Sequence, residues 1–371
     1  MLTATAPLTV QKPHLALAGA LAIAGFAYLQ MAGAGKGVLF AIGLAMGAAL
    51  YHAAFGFTGA YRRAIVARDM TGIVAQVVMI GLAMLLFAPV LAAGEVFGHA
   101  VGGAVAPVGI AMAFGAFVFG IGMQLGGGCA SGTLFTAGGG NARMVLVLIF
   151  FCLGCFWATF DLGWWRALPE LGSISLAGAW GWPMALMAQG LVLGAVLIYA
   201  LRTGAGFDKR LVIAAVVLAL LNWATLLVAG HPWSITWGFT LWAAKAASLV
   251  GWDHSLHAFW GDGFPARALG RPLAADTTTV MNAGILIGAF AAAAMVGMVR
   301  PSFRIPLGSL VAAVIGGLMM GYGARLAYGC NIGAFFSGIA STSLHGWAWI
   351  IAAAVGNIIG VRLRPMFGLR N

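Results

Sequence analysis

Two cysteines in glycine-rich surroundings are the residues of this chain whose type and spacing best suit chemistry. Cys129 lies in Gly-Gly-Gly-Cys-Ala-Ser-Gly-Thr over residues 126–133, and Cys330 lies in Ala-Tyr-Gly-Cys-Asn-Ile-Gly over 327–333. A neutral thiol is a weak donor that can hydrogen-bond a soft sulfur atom without adding negative charge. Glycines let backbone N–H groups form concave anion sites. The pair favours recognition of a small soft anion, and the alternative is that both cysteines only fill space.

The two cysteine segments repeat each other along the chain. Aligning the thiols also aligns five further identities: Gly122/Gly323, Leu125/Leu326, Gly128/Gly329, Gly132/Gly333 and Phe135/Phe336. A second echo precedes each segment, with Phe55–Thr58 matching Trp237–Thr240. Because both echoes occur in the same order, they indicate a divergent duplication. In membrane transporters such repeats meet around the substrate site.

Polar residues accompany both thiols. Five positions before each cysteine stands a large polar side chain, Gln124 in one segment and Arg325 in the other. A buried arginine is unfavourable and usually functional, so Arg325 could pair with the anion or brace a carbonyl; it could equally reach the outer surface. The other candidates are the glycines before the thiols and four residues that could donate to a substrate or cap a broken helix: Gly128, Gly329, Ser131, Asn331, Thr58 and Thr240.

The remaining cysteines and histidines suggest no metal or cofactor. Cys152 and Cys155 lie in an apolar helix without further metal ligands nearby, so we interpret both as packing residues. His254 and His257 could share a helical face, but no thiol or carboxylate completes a metal site there. No glycine-rich nucleotide motif follows a soluble strand. The prediction is therefore a protein without metal or cofactor.

The composition is that of a polytopic membrane protein. Of 371 residues, 62% are hydrophobic and 7% are charged, whereas soluble domains carry about 25% charged residues. We interpret the first apolar segment as a retained helix rather than a cleaved signal. The net charge of +11 does not predict nucleic-acid binding, because no basic run carries interleaved aromatics. Basic residues in such proteins mainly set topology.

A membrane-spanning helix needs about twenty mainly apolar residues. The sequence offers ten candidates: 14–33, 37–54, 71–92, 105–123, 143–161, 183–201, 210–229, 278–298, 306–323 and 346–363. Four further stretches are short or glycine-rich, lack the pattern of a spanning helix, and are too apolar for exposed loops. Irregular backbone at membrane depth occurs where it is buried or lines a cavity. We therefore predict re-entrant segments near 55–60, 124–140, 237–251 and 324–340.

The fold class predicted is an all-α membrane protein of two inverted five-helix repeats. The first repeat, with the N-terminal helix and a connecting helix, would lie in residues 1–201 and the second repeat in residues 202–371, and an odd number of helices per repeat makes the two opposite in orientation. With a cytoplasmic N-terminus, 13 of the 19 basic residues face the cytoplasm and six face outward, which is the usual bias. Both termini would then be cytoplasmic, in a bacterial inner membrane. Residues 230–277 would form an outer vestibule with tryptophans anchored at the membrane interface.

At the segments GGGCASGT, YGCNIGAFFSG and FGFTGAYR the chain resembles the YeeE/YedE family of sulfur-compound membrane proteins. The resemblance covers about residues 36–363 and implies an hourglass-shaped inverted repeat whose cysteines contact a sulfur-containing anion in turn. Cys129 and Cys330 match two such positions. A third family cysteine, in an FCFTGAFR-like segment, is replaced here by Gly56. The resemblance also implies a small cytoplasmic sulfur carrier of the TusA-like type as a partner.

These observations together predict a permease, not an enzyme, that takes up a small sulfur-containing anion, with thiosulfate as the first candidate. Two alternatives stay open. One is a membrane sulfur-relay protein or enzyme that carries sulfur as a cysteine persulfide, and the other is a channel for another small anion. Transport powered by ATP on this chain is not predicted, because no nucleotide-binding motif is convincing.

Overall fold

The computed structural model describes residues 9–33, 35–300 and 302–371. Residues 1–8, to which the prediction of a cytoplasmic N-terminus applies, lie outside the described part. Within it the helices are α1 (Lys12–Ala32), α2 (Lys36–Ala53), α3 (Phe57–Ala67), α4 (Thr71–Ala93), α5 (Ile110–Gly126), α6 (Ala130–Gly138), α7 (Ala142–Arg166), α8 (Leu176–Trp180), α9 (Trp182–Arg202), α10 (Lys209–Ala229), α11 (Thr236–Leu249), α12 (Gly263–Gly270), α13 (Thr277–Met295), α14 (Leu307–Leu326), α15 (Ser337–Ala340) and α16 (Leu344–Leu363). A π-helical turn, Asn331–Phe336, leads directly into α15.

Four short strands lie in the loops on one side of the helices. They are β1 (Glu95–Val96), β2 (His99–Ala100), β3 (Pro107–Gly109) and β4 (Glu170–Ser173), paired antiparallel as β1 with β2 and β3 with β4. Short 3₁₀ turns at Leu273–Ala275 and Arg364–Phe367 complete the regular structure of the described residues. The strands are too small to form a separate layer, so the protein is all-α in architecture.

Ten helical segments of the described chain are long and apolar enough to cross a membrane, which confirms the predicted number. Several boundaries are displaced by a few residues. The span predicted from residue 105, for example, begins at Ile110, because residues 107–109 are extended and pair with β4. Gly109 allows this approach, since a Cβ there would lie 2.6 Å from that of Glu170.

The two cysteine stretches are more helical than the sequence indicated. Helices α5 and α14 continue through Gln124 and Arg325, three residues beyond their predicted ends at 123 and 323. After each break the chain turns helical again, as α6 and as the π-helical turn with α15. The prediction missed these short helices because they are mostly buried, so their sequences have no polar face and no apolar period.

Glycines let the long helices pack with their backbones in contact. On α2, a Cβ at Gly43 would lie 2.5 Å from Met281 O, and on α13 a Cβ at Gly284 would lie 2.5 Å from Phe40 O. Small residues four apart allow this close packing in membranes, where apolar surface alone gives no preference for another helix over lipid.

Helices of each half of the chain pack against helices of the other half, and these contacts come in equivalent pairs. Helix α2 packs on α13 while α10 packs on α4, and α7 packs on α14 while α16 packs on α5. The short helices follow the same rule, with α6 against α13 and α15 against α4. This exchange agrees with the predicted duplication; the opposite orientation of the halves and their boundary at 201/202 stay predictions.

The tryptophans of the outer stretch do not all lie at an interface. Trp233 and Trp260 are completely buried, and Trp260 Nε1 donates a 3.0 Å hydrogen bond to Thr159 Oγ1 of α7. The prediction of interface anchors was therefore wrong for these two residues. Residues 230–277 fold onto the helices, where indole rings fill the space between α7 and α11.

Candidate functional site

Cys129 lies at the start of a helix that begins inside the protein. Helix α5 ends at Gly126, and Gly127 takes a left-handed conformation (φ 86°) that reverses the chain. Cys129 is extended and is the N-cap of α6, where its carbonyl accepts a 2.8 Å hydrogen bond from Thr133 N. Its Sγ lies 3.3 Å from Ser131 Oγ, and the residue is completely buried.

Cys330 has the same local geometry two hundred residues later. It follows Gly329 (φ 153°), is extended, and accepts a hydrogen bond at its carbonyl from Ala334 N at 2.9 Å. Its Sγ accepts from Ile332 N at 3.4 Å. Glycine is needed before it, because a Cβ at Gly329 would lie 2.9 Å from Ala334 N. Gly128 is confined in the same way, because a Cβ there would lie 3.1 Å from Thr133 N.

The two thiols belong to elements that touch. Helix α6 contacts the π-helical turn, and both cysteines are part of one buried cluster. The first N–H groups of α6 have no partner within the helix, and a helix N-terminus carries partial positive charge. A small anion between the two elements would therefore meet thiols and backbone donors together.

On the first-half side, Gln124 is tied by hydrogen bonds. Its Nε2 donates to Asn357 Oδ1 of α16 at 2.7 Å and to Thr58 O of α3 at 3.2 Å. Asn357 Nδ2 in turn donates to Ala353 O at 2.8 Å. Gln124 and Asn357 are completely buried. These bonds join three helices from both halves at one point.

Two arginines brace the end of the helix that carries Gln124. Arg364 donates to Gln124 O at 2.6 Å, and Arg143 donates to Leu125 O at 2.8 Å. These cations satisfy carbonyls that have no partner within the helix, and they complement its negative end. The carbonyl-bracing role considered for Arg325 thus belongs to Arg143 and Arg364.

Arg325 is placed differently from its counterpart Gln124. Its guanidinium lies 5.2 Å from the ring centre of Phe259 and 5.9 Å from that of Trp237, a cation–π arrangement. Among the described residues it forms no salt bridge, and its Nε is buried without a hydrogen-bond partner. Arg325 is therefore a half-buried cation beside aromatic rings, and its N–H groups can still donate hydrogen bonds to an anion.

Several buried polar atoms near the thiols have no partner in the described chain. They are Thr58 Oγ1, Thr133 Oγ1, Gln124 Oε1 and Asn331 Oδ1, on residues between 0% and 3% exposed. By contrast, the Thr240 hydroxyl is satisfied within its own helix, at 3.0 Å from Thr236 O. Leaving a buried polar group unpaired costs about 1–3 kcal/mol. A polar solute in the site would supply the missing partners.

Sequence reasoning missed two side chains of this region. Tyr61 of α3 accepts a 3.3 Å hydrogen bond at its hydroxyl from Asn331 Nδ2, and Asn357 bonds Gln124. An amide in the middle of an apolar span is a recognisable signal, because it needs a partner on another helix. Tyr61 carried the weaker signal of standing within FGFTGAYR, the segment already singled out at Thr58.

The other polar candidates lie elsewhere or carry no chemistry here. His52 is exposed and Cys152 is partly exposed, packing against the buried cluster. In the described part of the chain, no three histidine, cysteine or acidic side chains come close enough to hold a metal ion.

Several known transporters are similar to this chain in amino-acid sequence. A 271-residue alignment with "Thiosulfate transporter TsuA" of Spirochaeta thermophila is 29% identical and covers 66% of this chain and 74% of that protein. A shorter alignment, 39% identical over 146 residues, matches "Probable transporter YedE" of Escherichia coli strain K12. "Probable transporter YedE" of Salmonella typhimurium matches equally well. These 146 residues are 38% of this chain and span about a third (34%) of the YedE proteins.

The profile of a protein family described as "Sulphur transport" matches residues 52–359. The match includes both cysteine segments and all four broken stretches, and it confirms the resemblance to YeeE/YedE proteins. The chain is a multi-pass membrane protein that belongs to the sulphur transport family.

Proposed function

We propose that this protein is a permease that takes up thiosulfate, or a closely similar sulfur-containing anion, along a path lined by Cys129 and Cys330. The observation that carries the proposal is the pair itself. Each thiol follows a glycine break and starts a helical segment inside the protein, and the two segments touch. A terminal sulfur is soft and suits a thiol donor, while sulfonate oxygens suit hydroxyl and amide donors.

The charge balance of the site supports an anion. The buried groups around the thiols are hydroxyls, amides and backbone N–H groups, and Arg325 lies at one end without a carboxylate partner among the described residues. A dianion entering a low-dielectric space needs compensating donors, because an isolated buried charge is strongly unfavourable. Arg325 and the N-terminus of α6 supply positive potential without covalent chemistry, which favours transport over an enzyme.

The proposed path has an outer and an inner end, and these two ends give the order in which the anion contacts the residues. We place Arg325, Trp237 and Phe259 at the outer entrance, followed by Cys330 and then by Cys129. Gln124 and Thr58 lie at the inner exit. The similarity to the thiosulfate transporter of Spirochaeta thermophila supports thiosulfate as the substrate. The exchanged helix contacts support two inverted repeats around this path.

The same proposal assigns the protein to a bacterial inner membrane with both termini in the cytoplasm. The distribution of basic residues supports this orientation. A small cytoplasmic sulfur carrier of the TusA-like type is the partner we propose for the inner side. It would meet the anion after the anion has passed Cys129.

The test is uptake of labelled thiosulfate into liposomes that contain the purified protein. We expect uptake above protein-free liposomes, competition by unlabelled thiosulfate, and weaker competition by sulfate, which lacks the soft sulfur. Equal competition by both anions would instead identify a general anion channel. A persulfide on Cys129, detected by mass spectrometry during turnover and required for uptake, would identify the sulfur-relay alternative.

A further inference from the structure

Tyr61 brings a phenol into the region of both thiols. It lies on α3, is 9% exposed, and packs edge-on against Phe57 at 6.3 Å between ring centres. Its hydroxyl accepts the 3.3 Å hydrogen bond from Asn331, the residue that follows Cys330. Tyr61 and Cys129 also belong to the same buried cluster. One side chain thus connects the first broken segment directly with the Cys330 segment and shares its buried surroundings with Cys129.

The donor capacity of this phenol is unused. Within the described chain, the hydroxyl hydrogen of Tyr61 has no acceptor, and the neighbouring Asn331 Oδ1 is completely buried without a donor. A buried O–H that is not paired in the protein loses hydrogen bonding that it would have in water. A hydrogen bond from a hydroxyl to an anion is stronger than one between neutral groups. The arrangement therefore suits an oxyanion beside Cys129.

We propose that the Tyr61 hydroxyl donates a hydrogen bond to the transported anion next to Cys129, held in position by Asn331. This inference rests on the proposed transport of a sulfur-containing anion and names a further residue that binds it. It also accounts for the altered segment FGFTGAYR. Relative to the FCFTGAFR-like segment that the resemblance implies, one thiol is absent at Gly56, the N-cap of α3, and one hydroxyl is gained at Tyr61 within α3, so a hard donor replaces a soft one near the start of this helix.

The structure allows the exchange to be reversed. Gly56 is extended (φ −130°), and a Cβ there would meet only Ala54 O, at 3.9 Å. A cysteine at this position therefore fits without strain. Tyr61→Phe keeps the ring in the core and removes only the oxygen. Both substitutions together recreate the FCFTGAFR sequence in this chain.

The experiment compares Tyr61→Phe, Gly56→Cys and the double variant with the unchanged protein in liposomes. We expect Tyr61→Phe to raise the KM for thiosulfate at least about tenfold, the loss typical of a hydrogen bond to a charged group. The double variant should recover part of that loss. Tyr51→Phe is the matched control, because Tyr51 is half-buried and packs edge-on against Phe135.

Two measurements separate the possible failures. Thiosulfate should raise the Tm of the unchanged protein, since a ligand that binds the folded state stabilises it, and this shift should be smaller for Tyr61→Phe. A Tyr61→Phe protein with unchanged KM and Tm shift would overturn the assignment, and no recovery in the double variant would overturn the exchange of donors. Absence of any thiosulfate uptake or Tm shift in the unchanged protein would reject the proposed function itself.

Discussion

Gln124 and Asn357, 233 residues apart in the chain, share a 2.7 Å hydrogen bond inside the protein. The bond joins α5 to α16 and thus one half of the chain to the other. At the corresponding place in the other half, Arg325 forms no salt bridge and no hydrogen bond from its Nε within the described residues. The two ends of the proposed path therefore differ. At one end the amides of Gln124 and Asn357 bond each other, and at the other end the Arg325 cation keeps a donor without a partner among the described residues.

The first prediction concerns the strength of this tie. In a double-mutant cycle, Gln124→Leu and Asn357→Leu should show a coupling of about 0.6–1.7 kcal/mol, the range measured for hydrogen bonds between membrane helices. Unfolding of the purified protein in detergent is the measurement. Gln189→Leu is the control partner, because this buried glutamine bonds Met84 and Trp347 instead. Additive effects of Gln124→Leu and Asn357→Leu would show that the bond contributes nothing.

The two thiols should affect transport more than folding. Serine keeps a small donor but is harder than sulfur, and its hydrogen bonds are shorter. Cys129→Ser and Cys330→Ser should each lower thiosulfate uptake per folded molecule by about two- to tenfold, the effect of losing one ordinary hydrogen bond. Cys152→Ser is the control, because Cys152 only packs against the buried cluster. Full uptake in both variants would reduce Cys129 and Cys330 to packing residues.

Accessibility should distinguish the outer thiol from the inner one. An impermeant thiol reagent added outside should modify Cys330 faster than Cys129, and thiosulfate should slow the reaction. Mass spectrometry of peptides that contain each cysteine is the measurement. Faster modification of Cys129 would reverse the proposed order of contacts along the path.

Arg325 should contribute charge and shape together. Arg325→Gln should raise the KM for thiosulfate about tenfold or more, because a hydrogen bond to a charged group contributes about 1.5–3 kcal/mol. Arg325→Lys should recover only part, since lysine lacks the planar guanidinium that lies near the rings of Phe259 and Trp237. Arg166→Gln removes the same charge at an exposed position and should leave KM unchanged. Equal effects at both positions would mean that only the surface potential matters.

The orientation in the membrane gives a separate prediction. Tags at Met1 and Asn371 should be protected from an impermeant reagent in intact cells, while single cysteines introduced within residues 252–272 should react. Labelling of either terminus from outside would contradict the proposed topology and the inward direction of the path. Lysed cells, in which all sites should react, provide the control.

The amino-acid sequence by itself determined the class, the number of spans and the family of this protein. Hydropathy is summed over some twenty residues, so single errors cancel, and ten spans were found with ends displaced by a few residues. Both cysteine segments were recognisable because each needs glycine at a position where the backbone turns left-handed or leaves no room for a side chain. Gly127 shows this requirement with its positive φ, and Gly329 with a Cβ position 2.9 Å from a backbone nitrogen.

Only the tertiary structure decided what the polar side chains contact. Gln124 and Arg325 are equivalent in the sequence repeat, yet one is bonded to Asn357 and the other lies against Trp237 and Phe259. Tyr61 meets Asn331 across 270 positions of the chain. A hydrogen bond depends on distances of a few tenths of an ångström between atoms that folding brings together, and no local pattern of residues encodes them.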